Sequence, residues 1–260
     1  MLERLLQRLR ERREQRALAR RGIPDELWQR TLRRYPFLDR LGDADRAELR
    51  RLASLFLDRK EFSGAGGFVV DDATAVAIAA QACLPVLRLG LGAYDGFVGI
   101  VVHPSQVVAR REVTDDDGVV HHYDEVLAGE AMEGGPMMLS WADVDAAGEG
   151  DDGPYNVVIH EFAHVIDLLD GEADGVPPLP DAKALAHWHE VLHYEYDRFC
   201  ERVACGYDTV LDPYGAEAPS EFFAVASEAF FVAPQAMKGE QPALYRLFVD
   251  FYRQDPAAAA

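Results

Sequence analysis

Two histidines, His160 and His164, stand four residues apart with Glu161 directly after the first, in the run HEFAH. On an α-helix residues i and i+4 lie one turn apart on the same face. Both imidazoles can therefore grip one metal ion while the carboxylate sits one step round, within reach of a metal-bound water. The chemistry this points to is zinc-assisted hydrolysis: zinc lowers the pKa of its water to about 7, and Glu161 removes that proton and later delivers it. HExxH is a short pattern with a real rate of chance occurrence, and a core helix whose histidines merely bond to backbone carbonyls would also show it. The flanks favour the metal. Val157, Val158, Ile159, Phe162, Ala163, Val165 and Ile166 surround the motif on every side of its helix, as in a buried element, and buried imidazoles and carboxylates need partners.

A catalytic zinc takes three protein ligands and keeps a fourth position open. Asp170, six residues after His164, has the spacing of the metzincin third ligand, but that pattern requires Gly where this chain has Asp167. Glu221 is the better candidate. It opens the apolar run EFFAVASE, in which Glu221 and Glu228 are seven residues apart on one helical face, and a Glu among Phe and Val needs a cation or strong donors. Glu228 then reads as the carboxylate that orients a ligand histidine. A second HExxH, His189-Glu190-Val191-Leu192-His193, lies on a helix expected at about 181–201, at the edge of a stripe formed by Leu185, Trp188, Leu192, Tyr196 and Phe199. A half-exposed helix makes a poorer cradle for a hydrolytic metal than one that is apolar all round. The stretch 170–181 has a faint calcium-loop pattern, but Glu at its third place, Asp at its twelfth and three prolines argue for a surface loop instead.

The elements that must position these residues follow from periodicity. Leu2, Leu5, Leu6 and Leu9 mark residues 1–21 as an amphipathic, basic helix, suited to docking on an acidic surface or packing by its leucine stripe. Gly22 and Pro24 break it, and 25–60 supplies two more short helices. Residues 62–67 are a Gly-rich joint. After Asp71-Asp72, the small apolar run 73–82 predicts a buried helix. Residues 98–103 and 107–114 read as strands, 115–118 as a turn, and 119–123 as the hairpin partner, with His121 and His122 on opposite faces. A strand at 136–141 and an acidic loop over 143–154 lead into the motif helix. Strands first, then the metal helix, then more helices, is an α+β order.

The chain of 260 residues is 49% hydrophobic and 27% charged, with ample material for a core. Its net charge of −19 is uneven: residues 1–60 carry 17 Lys+Arg against 10 Asp+Glu, so the rest is strongly acidic. An acidic body repels phosphates, which makes the chain as a whole a poor candidate for binding nucleic acid, its basic N-terminal arm being the only exception. No apolar run suffices for a membrane span or a signal-peptide core, and Cys83, Cys200 and Cys205 are too scattered for a disulfide framework or thiolate zinc site. A cytoplasmic location is expected, with Cys83 buried in its Ala-rich stretch.

The blocks IAAQACLPVLRLGL, LAGEAMEGGPMMLSW, HEFAHVIDLLDGEADGVPPL, DPYGAEAPSEFFAVASEAFF and PALYRLFVDFYRQDP, spread over nearly the whole chain, resemble the Mlc titration factor A family. The resemblance implies a zinc-dependent peptidase of gluzincin type, with a zincin-like catalytic core similar to that of anthrax lethal factor: a small mixed sheet plus active-site helices. It implies an N-terminal helical region over 1–66 and a catalytic domain over 67–260. His160 and His164 match the family's histidine ligands, Glu161 its general base and Glu221 its third ligand. Tyr214, seven residues before Glu221, falls where the family places a tyrosine able to donate to the developing oxyanion. Aminopeptidase-like activity on a peptide or protein substrate and binding of a transcriptional repressor of sugar uptake are implied as well. The alternative is a regulator that sequesters a transcription factor with little or no catalysis, and a weaker one is a hydrolase of some other amide. The second HExxH and the arm 1–21 have no counterpart in the family pattern.

Overall fold

The computed structural model describes residues 2–114, 120–131, 135–147 and 153–258. Helix α1 (Leu2–Arg21) ends ahead of Gly22, as its sequence predicts. It lies on α4 (Asp43–Arg59), where Arg20 reaches Asp58 at 2.6 Å and Arg51 reaches Glu14 at 3.0 Å. Between them stand α2 (Asp25–Arg34) and the single turn α3 (Pro36–Asp39). The two short helices expected here are thus three elements, one of them 17 residues long. The extra turn starts at Pro36, whose fixed φ suits a first helical position and whose missing N–H is not needed there.

Strand β1 (Glu61–Gly64) occupies part of the expected Gly-rich joint, and α5 (Asp72–Cys83) follows where the alanine run predicts it. The Asp71 carboxylate accepts from the Thr74 N–H at 2.8 Å, a cap worth about 1 kcal/mol. The small side chains of α5 let α4 and α7 (Val157–Asp167) approach closely, and Ile78, Ala79, Ala80, Ala82 and Cys83 have no exposed surface. Strands β2 (Gly99–His103), β3 (Val107–Thr114) and β4 (Val120–Leu127) come next. Strand β3 has the expected bounds and pairs antiparallel with β4, which runs on to Leu127 where the expected partner ended at 123. The turn expected at 115–118 lies outside the described residues, as do the side chains of Leu2, Leu5, Leu6, Leu9, His121 and His122.

Strands β5 (Gly129–Ala131) and β6 (Met137–Ser140) complete a four-stranded sheet in the order β1-β2-β6-β5. The first three strands are parallel, and β5 runs antiparallel to β6, with Gly129 opposite Leu139. Helix α6 (Trp141–Ala146) takes up the start of the segment expected to be loop. The remaining elements are helical: α7, α8 (Ala182–Ala204), α9 (Pro219–Val232), α10 (Pro234–Glu240) and α11 (Pro242–Tyr252). The architecture is therefore α+β, mostly helical with a small mixed sheet. No helix of the described residues is long and apolar enough to cross a membrane.

The core runs behind α7. Phe162 has no exposed surface and packs edge-on against Tyr94 at 4.7 Å, with Phe56 of α4 at 5.6 Å and Phe97 at 5.9 Å. Lys60 fastens this wall: its ammonium donates to the carbonyls of Tyr94 and Phe97 and lies 3.6 Å from the centre of the Phe97 ring. Burial holds its pKa down at about 8. A second aromatic layer, Trp188 with Phe223, Phe248 and Phe251, joins α8, α9 and α11.

Candidate metal centre

Asn156 starts α7: its side-chain oxygen accepts from the Ile159 N–H at 2.9 Å, satisfying one of the amides a helix start leaves open. The helix is apolar on its back face, and its front carries His160 and His164, one turn apart, with ring centres 4.8 Å from each other. Glu221 comes from the first turn of α9, which Pro219 opens and which packs along α7. Its Oε2 lies 3.1 Å from His160 Nε2 and 3.4 Å from His164 Nε2, and the two imidazole nitrogens are 3.2 Å apart. Among the described residues, these three form the one group of His, Cys, Asp or Glu donors close enough to share a cation, all within 4.8 Å of one another.

The surroundings fix how the donors face. His160 donates through Nδ1 to Glu228 Oε1 at 2.8 Å, which leaves Nε2 turned toward Glu221 and His164. Burial works against a charged His160 imidazole, but its bonds to Glu221 and Glu228 outweigh that and hold its pKa well above the ordinary value. Burial likewise opposes an ionised Glu221, yet the two histidines bring its pKa down to about 2. Glu228, fully buried, is pushed up, with His160 pulling the other way. A carboxylate held ionised against two imidazoles is the charge pattern a divalent cation would complete, and the donor set of two histidines and one glutamate fits zinc.

Glu161 is nearly buried and lines a cavity of about 330 Å³ together with His160, Tyr155, Asp212, Tyr214 and Glu217. Gly129 of β5 forms its opposite wall at such close range that a Cβ there would come within 2.5 Å of the Glu161 carboxylate. Tyr214 stands in a short 3-10 turn, Pro213–Ala216, whose start is held by Asp212 accepting from the Tyr214 N–H at 2.8 Å. Its ring is 6.1 Å from that of His160 and 44% exposed, so the phenol borders the cavity and meets solvent. All five expected site residues are thus brought together. Tyr155, Gly129 and Asn156 were not anticipated. Asn156 carried a signal, since Asn just before an apolar periodic run is a helix-start signature.

The loop after α7 holds α7 and α9 in register through Gly175. Asp167, the last residue of α7, accepts from the Gly175 N–H at 2.9 Å, and burial lifts the pKa of this carboxyl to about 6. The Gly175 carbonyl accepts from Trp188 Nε1 of α8 at 3.0 Å. Its φ is +79°, and a Cβ would meet the Pro219 carbonyl of α9 at 2.5 Å, so glycine is needed on both counts.

The weaker ligand readings separate from this site. Asp170 is exposed and accepts from the Glu172 N–H at 3.3 Å in its own turn. Asp174 and Asp181 likewise serve local backbone, Asp181 as the cap of α8, so the calcium-loop pattern marks turns and a helix start. His189 is half-buried and His193 exposed on α8, their rings 5.2 Å apart, and no third donor joins them among the described residues. Trp188, Leu192 and Phe199 bury the stripe of that helix as expected, while Leu185 remains exposed.

Two donors from one helix, a third from another and a carboxylate in the adjoining cavity define a metallopeptidase-like protein. The chain belongs to the glucose-regulated metallo-peptidase M90 family, whose model matches residues 9–253. Relatives include Mlc titration factor A of Pectobacterium atrosepticum, 39% identical over 236 residues, covering 90% of this chain and 88% of that one. Mlc titration factor A of Escherichia coli is 37% identical over 236 residues, covering 88% and 86%. The Synechocystis protein slr2042 is 35% identical over 241 residues, covering 92% and 87%.

Proposed function

We propose that the chain is a zinc-dependent peptidase of gluzincin type with a zincin-like core, in which His160, His164 and Glu221 hold the ion. The observation that carries this reading is the convergence of those three donors beside a cavity that Glu161 lines. Zinc bound there supplies Lewis acidity for the scissile carbonyl and makes water a nucleophile near neutral pH. Glu161 takes the proton from the attacking water and passes it to the leaving amine. Tyr214 donates a hydrogen bond from its phenol to the carbonyl oxygen, which strengthens as negative charge grows there. Glu228 keeps His160 in the ligating orientation. An extended peptide pairs by its backbone along β5, the edge strand whose Gly129 touches Glu161. The acidic lining from Asp212, Glu217 and Glu161 suits a protonated amino terminus, which supports aminopeptidase-like cleavage.

Chelation tests the role of the metal. Hydrolysis of short peptides is expected to vanish with the metal and to return when zinc alone is added back; turnover that persists in demonstrably metal-free protein refutes the reading. Gly129→Ala tests the cavity wall. The new methyl must displace the Glu161 carboxylate, so turnover is expected to fall by on the order of 10²-fold with zinc still bound. Unchanged turnover in that variant would remove Glu161 from the place given to it.

A second reading is favoured by the name that several relatives share. Those relatives are named as titration factors for Mlc, and on this reading the chain acts by sequestering a transcription factor of sugar uptake. The two readings are compatible, since a peptidase can also be a binding partner.

A further inference from the structure

The buried face of α5 is built of small apolar side chains, with one exception. Gln81 has no exposed surface, sits among alanines, and would be replaced by an apolar residue at lower cost if packing were its only task. Its Oε1 accepts from Asn156 Nδ2 at 2.8 Å, and its own Nε2 donates to the Ala77 carbonyl at 3.2 Å. Asn156, also without exposed surface, uses every polar group it has. Its Oδ1 caps α7 at Ile159, its backbone N–H donates to Glu228 Oε2, and its carbonyl accepts from the His160 N–H at 3.0 Å. The other oxygen of Glu228 holds His160 Nδ1.

We propose that Gln81 and Asn156 are positioning residues of the metal centre. Together with Glu228 they form a buried hydrogen-bonded chain, running through the Asn156 side chain and its backbone N–H, that sets the rotation of the His160 ring and turns its Nε2 toward Glu221 and His164. The proposal rests on His160, His164 and Glu221 holding the metal. Capping alone explains only one atom of Asn156, since a serine hydroxyl caps a helix about as well and makes no bond to Gln81. The amide has two ends: the Ile159 N–H already calls for Oδ1, and an acceptor beside Nδ2 holds the other end so that the side chain is fixed at both. Gln81 is that acceptor. It fixes Asn156, and the fixed backbone N–H of Asn156 aims the Glu228 carboxylate at the imidazole. Elements more than seventy residues apart in the chain are linked in this way to a single ring.

The test uses the full chain with Gln81→Met, Asn156→Ser and the double variant. The zinc dissociation constant is measured by competition with a chromophoric chelator, and the ring N–H proton resonance of His160 is followed in the zinc-loaded protein. Each single variant is expected to bind zinc about tenfold more weakly and to shift or broaden that resonance, as loss of an outer partner of a ligand does. The double variant is expected to lose no more than the weaker-binding single one, because both changes cut the same link. Zinc affinity within about twofold of wild type in Asn156→Ser, with the His160 resonance unmoved, overturns the proposal. So do losses that multiply in the double variant. Should Gln81→Met fail to fold, Asn156→Ser, which retains a capping oxygen, decides the matter alone. Wild-type protein that binds no zinc would refute the site itself. Tight binding by the wild type that the variants share equally would refute only the chain from Gln81.

Discussion

The Glu161→Gln protein is expected to retain its zinc and to hydrolyse peptides about 10²–10⁴ times more slowly than wild type, the contribution of a positioned acid–base group. The amide matches the carboxylate in shape, so the close fit between Glu161 and Gly129 survives the change. Its side chain is not one of the three that converge on the ion, and metal content has no reason to fall. What is lost is the oxygen that accepts a proton. Elemental analysis and single-turnover hydrolysis on one preparation check both halves, and full-speed turnover would eliminate Glu161 as the base. The same variant separates the two functional readings. If it no longer cleaves but still captures a repressor and restores regulation in cells, binding is the operative activity; if regulation disappears with turnover, cleavage is.

His160→Ala should empty the centre. His160 Nε2 faces both partners at 3.1 and 3.2 Å, and its Nδ1 is the partner of a fully buried carboxylate, Glu228. Deleting the ring removes one of three ligands and leaves that carboxylate without its imidazole donor, so zinc is expected to drop from about one per chain to none. His189→Ala is the matched control. Its imidazole belongs to the other HExxH, on a half-exposed helix where no third donor approaches among the described residues, and zinc content should not change. Metal analysis of the two variants side by side decides which copy of the motif is used. A loss in His189→Ala with His160→Ala intact would reverse the assignment.

The parts of this molecule that could be read from the chain are those whose signal is local. The helix α7 announces itself through apolar residues on all sides and an Asn at its start. Glu221 was legible because a carboxylate at the head of an apolar helix needs a counter-charge, and the two histidines supply it at 3.1 and 3.4 Å. Elements defined by distant partners were hidden. Strand β5 is Gly-Glu-Ala, with no β-branched residue, and exists through its pairing with β6. Strand β1 looked like a flexible joint because four residues ending in glycine gain their order only from the parallel neighbour β2. Helix α6 had a local sign, Ser140 accepting from the Asp143 N–H at 3.5 Å, but the acidic residues around it suggested loop. Gln81 had no sign beyond being out of place, since its partner is 75 residues away.

Gly175 follows the exposed run 171–174, which an engineer would choose for an epitope tag, and precedes the buried Val176 and Pro177. Yet its amide is spoken for by the end of α7, its carbonyl by α8, and its missing side chain by the start of α9. Lengthening the connection at this residue would change the spacing of three helices at once, whereas the exposed residues Gly171 and Glu172 leave room for added sequence without that penalty. The segment therefore behaves as a spacer of fixed length pinned at its middle, and a library of insertions scanned across 169–180 should show an intolerant block at 175–177 preceded by permissive positions over 171–173.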